Sequence, residues 1–225
     1  MMKYFFNLLL ALLLTSTVLF AENLTIPPYD NRLDKYPNTT EWYNHADIDS
    51  ASAFNIGLLY DTKINDNKLA EIWYKKALFL DPNNIDALIN LGVLCDDTKR
   101  YDDAIRWYKQ AYSRTNNKDA ANNLGLIYDH KKKYKLANLW YIKAIKKESL
   151  EAIKNLGRLY HYKLNDDVKA AEYFIALIDN KYPKDKVLTY LKNNWKLSDK
   201  TIKKGYEAQL KSKIIPEKLK YKGGI

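Results

Sequence analysis

Residues Asn122 to Ile145 read NNLGLIYDHKKKYKLANLWYIKAI, and this stretch decides the fold. Its first half closes on Leu124-Gly125-Leu126-Ile127-Tyr128. Its second half places Ala137, Tyr141 and Ala144 at i, i+4 and i+7. Those spacings put all three residues on one face of a helix. A lysine-rich break separates the halves, so the stretch reads as a pair of amphipathic helices.

The same text occurs three more times. Gly57, Gly92, Gly125 and Gly157 are separated by 35, 33 and 32 residues. Two positions before each stands an asparagine (Asn55, Asn90, Asn123, Asn155), and three after comes Tyr60, Cys95, Tyr128 or Tyr160. The second helices repeat as Ala70/Tyr74/Ala77, Ala104/Tyr108/Ala111, Ala137/Tyr141/Ala144 and Ala170/Phe174/Leu177. The first and fourth copies are one residue longer between their helices. Small alanines let helices approach closely, the aromatic fills the gap to the next unit, and glycine removes a Cβ where paired helices cross. Asp81-Pro82-Asn83-Asn84 carries the stop and cap signals of a boundary, and Asn116-Asn117 and Lys147-Glu148-Ser149 occupy equivalent turns. A helical hairpin cannot bury its apolar face alone, so four in succession are expected to stack. Seven glycines and six prolines in 225 residues agree with helix over sheet.

The pattern Leu/Ile-Gly-x-x-Tyr, then Ala-x-x-x-Tyr-x-x-Ala, then a Pro or Asn turn resembles the tetratricopeptide repeat. The related SEL-like repeat is the alternative, through Trp73-Tyr74, Trp107-Tyr108 and Trp140-Tyr141, but the 32 to 35 residue period favours the tetratricopeptide form. Cys95 for Tyr, Leu177 for Ala and the missing early Trp depart from the pattern. The resemblance implies an all-α, right-handed α-solenoid of about four hairpins, ending in a C-terminal capping helix.

The flanks divide the chain further. Residues 1–21 carry Lys3, an uncharged run from Tyr4 to Phe20 and then Ala21, which reads as a signal peptide cleaved after Ala21. A periplasmic or secreted protein is therefore expected, the alternative being an uncleaved inner-membrane anchor. Residues 22–48, with Pro27-Pro28 and Pro37, read as an extended lead-in whose Trp42 and Tyr43 pack onto the first helix as a partial cap. The repeats occupy 49–183. Residues 184–225 hold a helix from Asp185 to Trp195 covering the last repeat. A second follows behind a Ser198-Asp199 cap, with Ile202, Tyr206 and Leu210 on one stripe, ended by Pro216. The final LKYKGGI reads as a mobile basic end. Net charge is +10, yet residues 22–180 balance, whereas 181–225 hold thirteen lysines against four acids. The basic character belongs to the C-terminal segment.

Little here serves catalysis. His45, His130 and His161 share no metal-ligand spacing, and no phosphate loop or nucleophile elbow is visible. Cys95, the sole cysteine, rules out an intrachain disulfide or a cysteine-based zinc site and reads as a small core residue. The hydrolase activity of cysteine-rich SEL-like proteins, of β-lactamase type, does not carry over without their paired cysteines. No cofactor, metal or enzymatic activity is expected.

Binding is the better case. In the resembled family the first helix of each pair lines a concave groove, faced by the residues two before and one after the glycine. Here these are Asn55/Leu58, Asn90/Val93, Asn123/Leu126 and Asn155/Arg158. An amide column suits an extended peptide because each amide both donates and accepts, though it equally satisfies local backbone. Asp61, Asp96 and Asp129 end their first helices, either as an acidic rim or as caps and lysine partners. Arg158 and His161 turn the fourth copy basic. The expected partner is a peptide or protein, with anionic envelope surfaces as an alternative for the lysine-rich end. Nucleic acid is not expected of an exported chain.

Overall fold

A computed structural model describes residues 26–225; the signal segment 1–21 and its cleavage point lie outside the described residues. No strand occurs among the described residues, and no helix there is long and apolar enough to cross a membrane. They fall into two compact units, one ending at Thr98 and the other running from Lys99 to Ile225.

In the first unit, α1 (Thr39–His45) precedes α2 (Ser50–Leu59), α3 (Asn67–Leu80) and α4 (Ile85–Asp97), each helix packing on its neighbour in sequence. Asp49, Asp66 and Asn84 cap α2, α3 and α4 by accepting from backbone N–H groups of the first turn. A π-turn at Tyr60–Ile64 absorbs the extra residue of the first repeat and ends in left-handed Asn65. Ala70, Tyr74 and Ala77 are buried, and an added Cβ on Gly57 would lie 2.8 Å from the Tyr74 ring. The aromatic therefore sits on the glycine, which is why the two recur together.

The lead-in differs from the extended segment expected. It contains a short 3-10 helix, Asn31–Lys35, besides α1. Polar groups rather than apolar periodicity hold it: Tyr60 Oη donates to Asp30, Arg32 pairs with Asp30 and Asp66, and Leu33 is buried beneath. Tyr43 packs edge-on to Trp73 at 6.0 Å, on the second helix of the first repeat, and donates to the Pro27 carbonyl.

The second unit runs α5 (Tyr101–Thr115), α6 (Lys118–His130), α7 (Tyr134–Ile145), α8 (Leu150–Tyr162) and α9 (Asp167–Ile175), again with sequence neighbours packed together. Asn117, Ser149 and Asp166 cap α6, α8 and α9. The turns inside the pairs use left-handed Lys132 and Asn165. Gly125 lies under Tyr141 and Gly157 under Phe174, with Cβ positions 2.4 and 2.6 Å from those rings.

The cover of the last repeat is rearranged relative to expectation. The segment expected to be one helix over Asp185 to Trp195 is the short α10 (Lys184–Thr189) followed by a π-turn. The main cover of α9 is α11 (Asp199–Lys211), capped by Ser198 as its sequence implies. It ends at Lys211, before Pro216, with Ser212 turning into extended backbone. The terminal residues are tied down: buried Gln209 donates to the Tyr221 carbonyl at 2.6 Å and accepts from the Tyr221 N–H at 3.1 Å. Tyr221 is itself buried, because that two-way bridge completes a backbone pair the sequence pattern does not announce.

Candidate functional site

The first-helix positions are placed differently in the two units. On α2, Asn55 is half-buried and Leu58 exposed; on α4, Asn90 and Val93 are half-buried. Asn90 is already engaged, its side chain hydrogen-bonding the Tyr74 hydroxyl. That hydroxyl donates to Asp61 at 3.0 Å, so Asp61, in the π-turn after α2, holds the packing tyrosine of α3. Burial first, and Asp61 second, push the Tyr74 pKa up. Asp96, at the equivalent end of α4, is half-buried with Asp97 exposed beside it.

In the second unit, α6 and α8 lie side by side and their amides form a chain. Asn155 Nδ2 donates to Asn122 Oδ1 at 3.0 Å, and Asn122 Nδ2 reaches Asn123 Oδ1 at 3.4 Å. Asn122 is buried and links the two column members. Its only signal in the sequence is the Asn-Asn doublet, and the position three before the glycine had no assigned role. Asn155 keeps a second N–H and both Oδ1 lone pairs for another partner.

Beside Asn155 opens a recess of about 520 Å³, lined also by Leu126, Asp129, Arg158, Tyr141 and Lys163 among others. Four residues picked out by the repeat register (Leu126, Asp129, Asn155 and Arg158) therefore meet in one place. Burial raises the Asp129 pKa, and Lys163, His130 and Arg158 only partly oppose the shift. Tyr141 is fully buried, and its hydroxyl has no hydrogen-bond partner among the described residues. His161 does not join this recess. Its Nδ1 lies 2.7 Å from Asp167 and its ring stacks on Trp195 at 4.3 Å, so it anchors the C-terminal cover.

A second, more apolar recess of about 310 Å³ adjoins α8, α9 and α10, with Phe174, Val187 and Tyr190 as its walls and Lys154, Arg158 and Lys186 at its edge. Arg158 thus borders both. Among the described residues no group of three or more metal-ligating side chains is present. Cys95 is a buried core residue of α4. The geometry offers donors, acceptors and charge in open recesses, which is the chemistry of recognition.

Comparisons with known proteins agree with this architecture. Tetratricopeptide-repeat family models match residues 50–84 and 87–119. No curated protein matches the sequence. Among solved structures, the chain is similar to PilF of Pseudomonas aeruginosa, at 23% identity and TM-score 0.57, covering 73% of this chain and 76% of that one. It is also similar to MamA, at 22% identity and TM-score 0.54, covering 76% and 97%. A third likeness is to YrrB, described as a TPR protein with an unusual peptide-binding site, at 20% identity and TM-score 0.54, covering 77% and 91%. At these identities the likeness is one of fold. Residues 50–84 and 87–119 are thus tetratricopeptide repeats by direct match, and the same helix pairing and glycine–aromatic register recur in the rest of the chain.

Proposed function

We propose that the chain is a non-enzymatic scaffold that holds a peptide or a partner protein against the first-helix faces of its repeats. The observation that carries this reading is the convergence of Leu126, Asp129, Asn155 and Arg158 on one open recess, where amide, charge and apolar surface are offered together. Such a mixture suits a peptide, whose backbone supplies a donor and an acceptor at every residue. The faces on α2 and α4 offer the same residue types through Asn55, Leu58, Asn90 and Val93. Asn90→Ala combined with Asn123→Ala is expected to abolish partner capture from an envelope extract while the helical circular dichroism is retained. Unchanged capture by that folded double variant would overturn the reading.

The site of action follows from the N-terminal segment. The uncharged run from Tyr4 to Phe20, followed by Ala21, supports export with cleavage after Ala21. The mature protein is then expected to begin at Glu22, and an intact-mass measurement on protein from the native host checks this. A mass that retains residues 1–21 would favour the anchored alternative.

A second reading rests on α11. Lys200, Lys203, Lys204 and Lys211 are exposed and make no ion pair among the described residues, whereas Lys192, Lys218, Lys220 and Lys222 are each paired with an acid. That lysine face supports adhesion to an anionic envelope surface. Deleting the tail is a poor test, because α11 also covers α9. The mark of this reading is partner contact confined to the α11 face.

A further inference from the structure

The same Asp–Tyr pair recurs in three repeats, as Asp61/Tyr74, Asp96/Tyr108 and Asp129/Tyr141, and the first and third are built differently. Asp61 and Asp129 both stand four residues after their glycine, and Tyr74 and Tyr141 are the packing aromatics of the helices that follow. In the first repeat the Tyr74 hydroxyl donates to Asp61 at 3.0 Å, and the pair is closed. In the third, Asp129 makes no ion pair and accepts no side-chain hydrogen bond among the described residues. The buried Tyr141 hydroxyl is likewise without a protein partner. Asp129 and Tyr141 are both lining residues of the 520 Å³ recess. An unpaired buried hydroxyl close to an unpaired, half-buried carboxylate is costly to leave unmatched.

We propose that this recess receives the cationic tip of a lysine or arginine side chain from the bound segment, which donates to Asp129 close to the buried Tyr141 ring. The proposal rests on the first-helix reading and names the anchor that reading leaves open. Three groups in the recess decide between ligand classes. Its fixed, half-buried charge is the Asp129 carboxylate, while the positive charges, Arg158 and Lys163, are on exposed side chains free to turn toward solvent. A carboxylate ligand would be set against Asp129. A neutral amide would leave that charge uncompensated. A cation matches the unpaired carboxylate, and hydrogen bonds to a charged partner are about twice as strong as neutral ones. The raised pKa of Asp129 agrees, since burial there outweighs the three cations already nearby.

The test uses four small probes on the protein with its tyrosine rings isotopically labelled: n-butylguanidinium, n-butylammonium, butyrate and butyramide. The Tyr141 resonance is assigned by its loss in Tyr141→Phe. Both cations are expected to shift it saturably, and butyrate and butyramide are not. Asp129→Asn should weaken the cation response at least about tenfold, the loss of one charge-assisted contact. It should leave stability at neutral pH equal or higher, because the burial penalty on the carboxylate is removed. Equal shifts from all four probes, a stronger response to butyrate, or an undiminished response in Asp129→Asn would overturn the proposal. So would a flat response to all four, which would make the recess a water-filled gap. These outcomes are independent of capture by the Asn90/Asn123 double variant, so the anchor can fail while the first-helix reading stands.

Discussion

Trp73→Ala is expected to destabilise the first unit by about 3–5 kcal/mol, the range for deleting a buried tryptophan from a packed core. Trp73 is 1% exposed and sits on α3, between the α2 side of the hairpin and the lead-in. Its Cβ lies 3.3 Å from the point where a side chain on Gly57 would begin, and its ring meets Tyr43 edge-on. Removing it opens the crossing of the first helix pair and detaches α1 at the same time. Its indole N–H has no partner among the described residues, so the deletion loses no hydrogen bond and the cost is one of packing. Phe79→Ala on the same helix is the control: Phe79 is 58% exposed, and its loss should change stability by no more than about 0.5 kcal/mol. Urea unfolding followed by circular dichroism separates the two. Similar costs for both would mean that Trp73 does not hold the first hairpin together.

Gly205→Ala is the second large effect, and here two terms oppose each other. In the middle of a helix, replacing glycine by alanine ordinarily gains about 0.5–1 kcal/mol. At Gly205 the new Cβ would lie 2.5 Å from the Ala171 Cβ and 2.9 Å from both the Ala171 carbonyl carbon and the Glu172 nitrogen. Backbone atoms of α9 cannot swing aside as a side-chain tip can, so α11 must lift. Overpacking of this kind costs about 1–3 kcal/mol, which exceeds the propensity gain and leaves a net loss. Thermal unfolding should show a Tm lowered by a few degrees, since about 1 kcal/mol corresponds to roughly 2–4 °C at this chain length. A raised Tm would mean that the α9–α11 contact is looser than described.

These two positions illustrate what the sequence made legible and what it did not. The glycine–aromatic register was readable because the same chemistry recurs at 32 to 35 residue intervals, and repetition filters out chance. Gly205 belongs to no repeat. Its close approach to Ala171 depends on how α11 crosses α9, which periodicity along one helix cannot reveal. The lead-in is held by Asp30, Arg32, Tyr60 and Asp66, a polar cluster assembled over more than thirty residues of chain, so it left no local pattern. Lys132 adopts a left-handed conformation that lysine does not advertise, whereas Asn65 and Asn165 at similar turns do.

The candidate site was half legible. The repeat register brought Leu126, Asp129, Asn155 and Arg158 forward, because first-helix positions flanking the glycine recur on one face. It missed Asn122 and the polar end of Tyr141. The repeat register marks Tyr141 only as a packing aromatic, and an aromatic's packing says nothing about where its hydroxyl ends. The chain Asn155–Asn122–Asn123 needs two helices at a set distance, a property of the pairing rather than of either segment.

Partners are expected to meet the first helices of the repeats. A photoreactive benzophenone residue installed in turn at Leu58, Val93, Leu126, Leu139 and Lys203 tests it most directly. Leu139 is 46% exposed on α7, a second helix, and Lys203 lies on the lysine face of α11. Cross-links to a captured partner are expected from positions 58, 93 and 126 and none from position 139. Cross-links from position 203 alone, or from position 139 as strongly as from position 126, would contradict it.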